Sequence, residues 1–214
     1  MKSGNELAFE EIVKYYIRAG EIARRVLSET IKRVKPGVKI IDLCEFSERR
    51  IKELGGLPAF PTNISVNNVA AHYTSPIGDD KTIPEDSVVK VDIGVHINGF
   101  IADTAKTVIL NPNYEYLAEA VESALENALM IARPGIRISD LSRVIEETIR
   151  RYGFKPIRNL SGHELKRYII HAGTSIPNVK TFTLEKLKPG HAYAIEPFAT
   201  DGAGYVRGVK EAVS

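Results

Sequence analysis

The sequence predicts a mixed α+β or α/β fold that is made of two related halves. Apolar residues at helical spacing begin the chain, and a motif that starts a helix occurs twice, with its prolines at Pro36 and Pro134. Each half then continues into short runs in which apolar and polar residues alternate between turn residues, as is typical of strands. Helices and strands are therefore interleaved along the chain.

The first half is predicted to begin with two helices. Apolar residues recur at spacings of three and four over residues 7–34, and Pro36-Gly37 ends this pattern. A second helix is predicted to start at Asp42, with Glu45 completing a capping box, and to end at Gly55-Gly56.

The second half repeats this pattern. The motif KPGVKIIDL at 35–43 returns as RPGIRISDL at 133–141, between a third predicted helix over 116–132 and a fourth over 140–153. Further residues match at the same spacing of 98: Ile51 with Ile149, Gly55 with Gly153 and Pro58 with Pro156. An ordered series of this kind indicates duplication, so we expect a first half at about 1–112 and a second at about 113–214.

Length, charge and cysteine content narrow the class of protein. With 214 residues, 43% of them hydrophobic, the chain is expected to form one domain, or at most two small ones. The net charge of +2 is too small to indicate a nucleic-acid or membrane-surface footprint. The single cysteine, Cys44, excludes a disulfide framework and a zinc site built from cysteines. We expect a cytoplasmic protein with no membrane partner, because no uncharged run has the length of a membrane span.

A β-hairpin is predicted around Asn98-Gly99, which separates the two alternating runs of VKVDIGVHINGFIADTAKTV. With these two residues as the turn, Gly94 pairs with Asp103. Asp92 then lies diagonal to Asp103 on the same face of the hairpin, where both carboxylates can converge on one or two cations. The alternative is that the two aspartates lie on a solvated sheet face and bind nothing.

Other acids and histidines extend this candidate site. Glu196 directly follows the strand-like AYAI of the second half. His163 in NLSGHEL and His171 in IIHAG are candidate imidazole ligands, although a lone histidine is more often a surface or core residue. Carboxylates with one imidazole suit Mn, Fe, Co or Zn, in a pair of ions that activates water. His96 and His191 lie near turns and are expected to be structural or exposed.

Four motifs resemble those of the type II methionine aminopeptidases, the archaeal and eukaryotic branch of the pita-bread metallopeptidases. They are FPTNISVNNVAAHYT, KVDIGVHINGFIADTA, NLSGHELKRYIIHAGTSIPN and AIEPFATDGAG, and they occur in that order. The resemblance implies a pita-bread fold of two pseudo-symmetric halves. It also implies removal of N-terminal methionine from nascent chains, near the ribosome, when the next residue is small.

The resemblance implies a set of metal ligands. Asp92 and Asp103 would bind two divalent ions, Co, Mn, Fe or Zn, with Asp103 bridging them. His163 and Glu196 would complete the shell of the second ion. Glu196, or a carboxylate acting with it, would also help to deprotonate the attacking water.

The resemblance further implies residues that contact the substrate. His72 would contact the scissile amide nitrogen, and His171 would donate a hydrogen bond to the substrate carbonyl and the developing oxyanion. Phe60 and Ile170 would line the pocket for the methionine side chain. Without the resemblance, these last two residues are better interpreted as ordinary core residues.

One ligand of the family has no match in this sequence. The family's site includes a fifth ligand, a bridging glutamate on a strand near the C-terminus, and the chain ends at GYVRGVKEAVS. The repeat indicates the same gap, because the second half lacks a counterpart of Asp103. We therefore expect an incomplete second half, with a C-terminal segment or a companion chain supplying this ligand.

Two other functions are compatible with the residues. The first is a non-catalytic pita-bread module that binds protein or RNA and has a degraded metal site. The second is an Xaa-Pro dipeptidase, since the related proline dipeptidases share the metal site. Those dipeptidases, however, usually carry an additional N-terminal domain.

Overall fold

The computed structural model describes residues 7–208, which group into two compact units. The first unit is Met1–Pro112 together with Lys166–Ile170, and the second is Asn113–Leu165 together with His171–Ser214. Over the described range, the helices are all too short or too polar to cross a membrane.

Over its described residues, the first unit consists of two helices and a four-stranded antiparallel sheet. The elements are α1 (Phe9–Ile31), α2 (Ile40–Glu53), β1 (Leu57–Pro58), β2 (Asn63–Val66), β3 (Val88–Ile97) and β4 (Phe100–Ile109). Strand β3 pairs along its whole length with β4, and its other edge pairs first with β2 and then with β1.

Alternation along β3 separates the core of this unit from a polar face. Val89, Val91, Ile93 and Val95 are fully buried and pack in one cluster with apolar residues of α1 and α2. Burying each of these side chains contributes about 1.5–3 kcal/mol. The opposite face of β3 is therefore the one that carries Asp92.

The second unit, as far as residue 208, contains two helices and two small sheets. A 3₁₀ turn at Pro112–Tyr114 precedes α3 (Glu115–Ile131), and α4 (Ile138–Arg151), β5 (Lys155–Pro156), β6 (Ser161–Lys166), β7 (Ile169–Pro177), β8 (Ala192–Ala194) and β9 (Ala199–Thr200) follow. Strand β6 lies between β7 and β8, and β5 pairs with β9. Residues of α3 and α4 form the apolar core together with Ile176 and Leu187.

The predicted duplication is confirmed in the local structure of each unit. Helices α2 and α4 both have 14 residues and begin 98 residues apart. Strands β1 and β5 also begin 98 residues apart. Gly55 and Gly153, which follow the two helices, have φ values of 85° and 86°. Glycine is the residue best suited to this left-handed position after a helix.

The predicted capping box at Asp42 is wrong. Helix α2 begins two residues earlier, at Ile40, and Lys39 precedes it without a side-chain cap. The Ile40 N–H is instead bound by the Lys81 carbonyl oxygen, because the chain enters the helix from a bridge between Lys39 and Thr82. Helix α4 likewise begins at Ile138 rather than at the predicted residue 140.

Candidate metal centre

The predicted hairpin and its register are confirmed. Asn98 and Gly99 form the turn with φ values of 53° and 88°, and Gly94 pairs with Asp103. Asp92 and Asp103 are both half-buried and lie on the same face of β3 and β4. The hairpin therefore presents two carboxylates as diagonal neighbours, on the face opposite the apolar core of the first unit.

Phe60 lies on the same face as these two acids. A Cβ atom at Gly94 would overlap the Phe60 ring, so the ring covers the backbone of β3 at this glycine. The Ala59 N–H donates to the Gly94 carbonyl oxygen at 2.9 Å and fixes the approach of the segment. An apolar ring and two carboxylates thus occupy one face of this unit's sheet.

His72 lies outside any strand, in the segment between β2 and β3. Its side chain is exposed, and its φ of +67° lies in the left-handed region. Residues other than glycine are uncommon there, and such conformations cluster at functional sites. Ile170 is half-buried at the start of β7, within the segment that groups with the first unit.

Strands β6 and β8 of the second unit bring His163 and Glu196 together. His163 on β6 pairs with Ala194 on β8, two residues before Glu196. The Nε2 atom of His163 lies 2.9 Å from Oε1 of Glu196. This close approach is not a hydrogen bond, since Oε1 of Glu196 is buried and accepts none from the part of the chain that the structure describes.

The geometry of this pair fits two ligands of one cation. Two donor atoms that bind one ion at about 2.1 Å lie roughly 3.0 Å apart at the angle of about 90° that an octahedral shell gives. The distance between Nε2 and Oε1 matches this value. A carboxylate with an imidazole is also the mixed donor set that Mn, Fe, Co and Zn accept. The residues of the second unit therefore fit a divalent metal ion.

His171 lies beside His163 in the second unit. The ring centroids are 4.4 Å apart and the rings meet edge to face. His171 is exposed and alternates with the buried Ala172 and Thr174 along β7. Its imidazole therefore lies next to the candidate ligand on a strand edge that a substrate can reach.

Two supporting contacts were missed at the level of sequence. Glu164, only 2% exposed, is bound by Nδ1 of His191 at 2.7 Å and accepts the Thr174 N–H at 3.2 Å. It lies on the opposite face of β6 from His163 and connects β6 to β7 and to the segment before β8. The position of Glu164 next to the candidate ligand His163 could have drawn attention to it. Its partners Thr174 and His191 could not be identified from the sequence, because they come from other segments of the chain.

The second missed contact involves Asn178, which is fully buried. Its Nδ2 donates to the Leu160 carbonyl oxygen, and its Oδ1 accepts the Phe198 N–H, both at 2.8 Å. Phe198 is two residues beyond Glu196, so this amide restrains the backbone on which Glu196 lies. Asparagine in SIPN has no local signature that distinguishes such a role from an ordinary turn.

Comparison with known proteins agrees with this chemistry. The methionine aminopeptidase of Thermococcus onnurineus is 54% identical over 191 residues, which cover 89% of this chain and 65% of that protein. The solved methionine aminopeptidase of Thermotoga maritima has a TM-score of 0.83 and is 31% identical, covering 92% of this chain and 82% of that one. The prolidase of Pyrococcus furiosus has a TM-score of 0.75 at 27% identity, with 88% and 56% covered.

These similarities confirm the predicted pita-bread fold, and the archaeal relatives agree with the type II resemblance. The chain spans about 65% of the length of the first curated relatives that it matches. A family model described as "Metallopeptidase family M24" matches residues 14–212, which is most of the chain. The chain therefore belongs to metallopeptidase family M24.

Proposed function

We propose that the chain is the catalytic part of a methionine aminopeptidase, which hydrolyses N-terminal methionine from nascent proteins and peptides when the next residue is small. The close pair of His163 and Glu196 is the observation that carries this proposal, because its spacing suits a shared cation. The 54% identity to a methionine aminopeptidase favours this substrate over others. The two halves would then form one catalytic domain.

The proposed cofactor is a pair of divalent ions, Co, Mn, Fe or Zn. Asp92 and Asp103 would be the ligands from the hairpin, and His163 and Glu196 would be those from the second unit. Bound divalent ions would supply Lewis-acid activation of water and of the scissile carbonyl.

The chain's own residues would perform the proton transfer and the positioning. Glu196 accepts the proton of the attacking water. His171 donates a hydrogen bond to the substrate carbonyl oxygen as negative charge develops there. His72 contacts the scissile amide nitrogen and so orients the peptide bond.

Phe60 and Ile170 are the proposed walls of the methionine pocket. The position of the Phe60 ring over Gly94, on the face that carries both aspartates, supports this role. An apolar pocket of fixed shape discriminates between side chains that differ in size.

Replacing Gly94 by alanine is expected to lower kcat/KM for methionyl peptides by about 10-fold or more, since the new methyl group displaces the Phe60 ring. Steady-state kinetics with a methionyl tripeptide measures the change, and thermal unfolding reports an overpacking cost of about 1–3 kcal/mol. Gly20→Ala is the matched control, because a Cβ atom there meets no other atom within 4 Å. A folded Gly94→Ala variant with unaltered kinetics would contradict the proposed role of Phe60 as a wall of the methionine pocket.

We further propose that a fifth ligand, a glutamate, comes from a C-terminal segment or from a companion chain. The fraction of the curated relative's length that this chain spans, 65%, supports this proposal. We also propose that the protein acts in the cytoplasm, near the ribosome, where nascent N-termini become available.

The experiment that tests the proposed function compares two substrates, a Met-Ala-type peptide and an Xaa-Pro dipeptide, with and without added metal. Hydrolysis of a Met-Ala-type peptide that requires Mn²⁺ or Co²⁺ is expected, and the intact mass of the preparation identifies any companion chain. Preferential cleavage of Xaa-Pro dipeptides would instead assign a proline dipeptidase. Failure to cleave either substrate, with no stoichiometric metal bound, would favour the non-catalytic module for protein or RNA.

A further inference from the structure

His72 adopts a backbone conformation that a histidine does not favour. Its φ is +67°, and it lies in an irregular segment where no strand ladder fixes its position. His171, by contrast, is part of β7. The residues that follow His72 make contacts that restrain its backbone.

Tyr73, the next residue, is held at both ends. Its carbonyl oxygen accepts the N–H of Ile64, a fully buried residue of β2, at 2.8 Å. Its hydroxyl donates to Oδ2 of Asp79 at 2.6 Å. Together these contacts restrain the peptide that follows His72.

Asp79 closes the segment 73–81 into a loop. Besides the Tyr73 hydroxyl, its carboxylate accepts the Ser75 hydroxyl at 2.7 Å and the Lys81 N–H at 3.1 Å. Burial by itself raises the pKa of the Asp79 carboxyl, but the hydrogen bonds outweigh burial and hold this pKa below its usual value. The carboxylate therefore stays ionised at neutral pH and accepts from all three donors.

The far end of the loop is attached to the core of the first unit. The Lys81 carbonyl oxygen accepts the Ile40 N–H at 2.9 Å, at the first residue of α2. The Lys81 ammonium lies 4.6 Å from the centre of the Tyr73 ring. One carboxylate thus connects the residue next to His72 with a segment that is itself bound to Ile40, the buried first residue of α2.

We propose that Asp79 is a positioning residue for His72, whose left-handed conformation it maintains by closing this loop. The inference rests on the proposed function, in which His72 contacts the scissile amide nitrogen. We expect the removal of the Asp79 carboxylate to affect turnover and to leave metal binding intact, since Asp79 is not among the proposed metal ligands.

The first experiment compares Asp79→Asn with a control, Asp80→Asn. Asp80 is an exposed acid at the adjacent position. We expect kcat for a methionyl peptide to fall about 10- to 100-fold in Asp79→Asn, because a small displacement of a positioned group has this effect. KM and the affinity for Mn²⁺ are expected to stay unchanged, and Asp80→Asn is expected to match the unmodified protein. Tyr73→Phe, which removes a single hydroxyl, is expected to give a smaller loss in the same direction.

A double variant separates positioning from a general structural role. In a His72→Ala background, Asp79→Asn is expected to cause no further loss of kcat, since the residue that it positions is already absent. An equal loss in both backgrounds would overturn the proposal.

NMR of ¹³C-labelled histidine provides a readout that does not depend on the substrate. Asp79→Asn is expected to move the imidazole signal that is missing from the His72→Ala spectrum and to leave the other histidine signals in place. An unmoved His72 signal would overturn the positioning role. A moved signal in a protein that does not cleave methionyl peptides would support positioning and contradict only the proposed function.

Discussion

His163→Ala is expected to weaken the binding of Mn²⁺ by at least about 100-fold, because losing a residue that merely supports a ligand already costs about 10- to 100-fold. His163 is 7% exposed, and its Nε2 atom lies 2.9 Å from a carboxylate oxygen of Glu196. Water is a poor substitute for an imidazole in such an enclosed site. Metal titration by calorimetry measures the affinity, and hydrolysis of a methionyl peptide is expected to fall in parallel.

The control for this prediction is His96→Gln, at a histidine whose Nδ1 accepts the Gly99 N–H in the hairpin turn. It is expected to bind Mn²⁺ as the unmodified protein does. Asp103→Ala is expected to reduce the affinity for Mn²⁺ as His163→Ala does. If both residues bind the same ions, the double variant is expected to lose less binding free energy than the sum of the two single losses. Additive losses would assign the two ligands to separate sites, and an unchanged affinity in His163→Ala would exclude His163 as a ligand.

Glu164→Ala is expected to produce the largest loss of stability, about 2–4 kcal/mol in the free energy of unfolding. The variant removes an acceptor from the Thr174 N–H and breaks the contact with His191 inside the second unit. For a chain of 214 residues, this corresponds to a fall in Tm of about 5–15 °C. Differential scanning calorimetry measures both quantities.

Two variants calibrate this effect. Glu164→Gln retains an acceptor for the Thr174 N–H and is expected to lose less than half as much stability. Glu147→Ala removes an exposed carboxylate whose partner is Arg143 on the same helix face, and is expected to change stability by less than about 1 kcal/mol. A Tm of Glu164→Ala equal to that of Glu147→Ala would show that the buried pair contributes nothing.

Patterns within a few residues were sufficient to predict much of the hairpin and its two carboxylates. Asn98-Gly99 tolerates positive φ at both positions, so the turn follows from two adjacent residues. Once the turn is known, the period of two along each strand determines that Gly94 pairs with Asp103. The predicted start of α2 was wrong because it depends on a distant contact. The Ile40 N–H donates to the carbonyl oxygen of Lys81, a residue 41 positions away.

The duplication, the presence of the four helices and the hairpin register depend on spacing along the chain, and the sequence alone was enough to predict them. The set of metal ligands was implied by the resemblance to a known family and stays a prediction. The contact between Nε2 of His163 and Glu196, the burial of Glu164 against His191 and the loop that Asp79 closes depended on the tertiary structure. These contacts join residues that lie on different segments, and several chain paths satisfy the same local patterns. Only the packing of the complete fold selects one of those paths, because burial and hydrogen bonding are satisfied together over the whole unit.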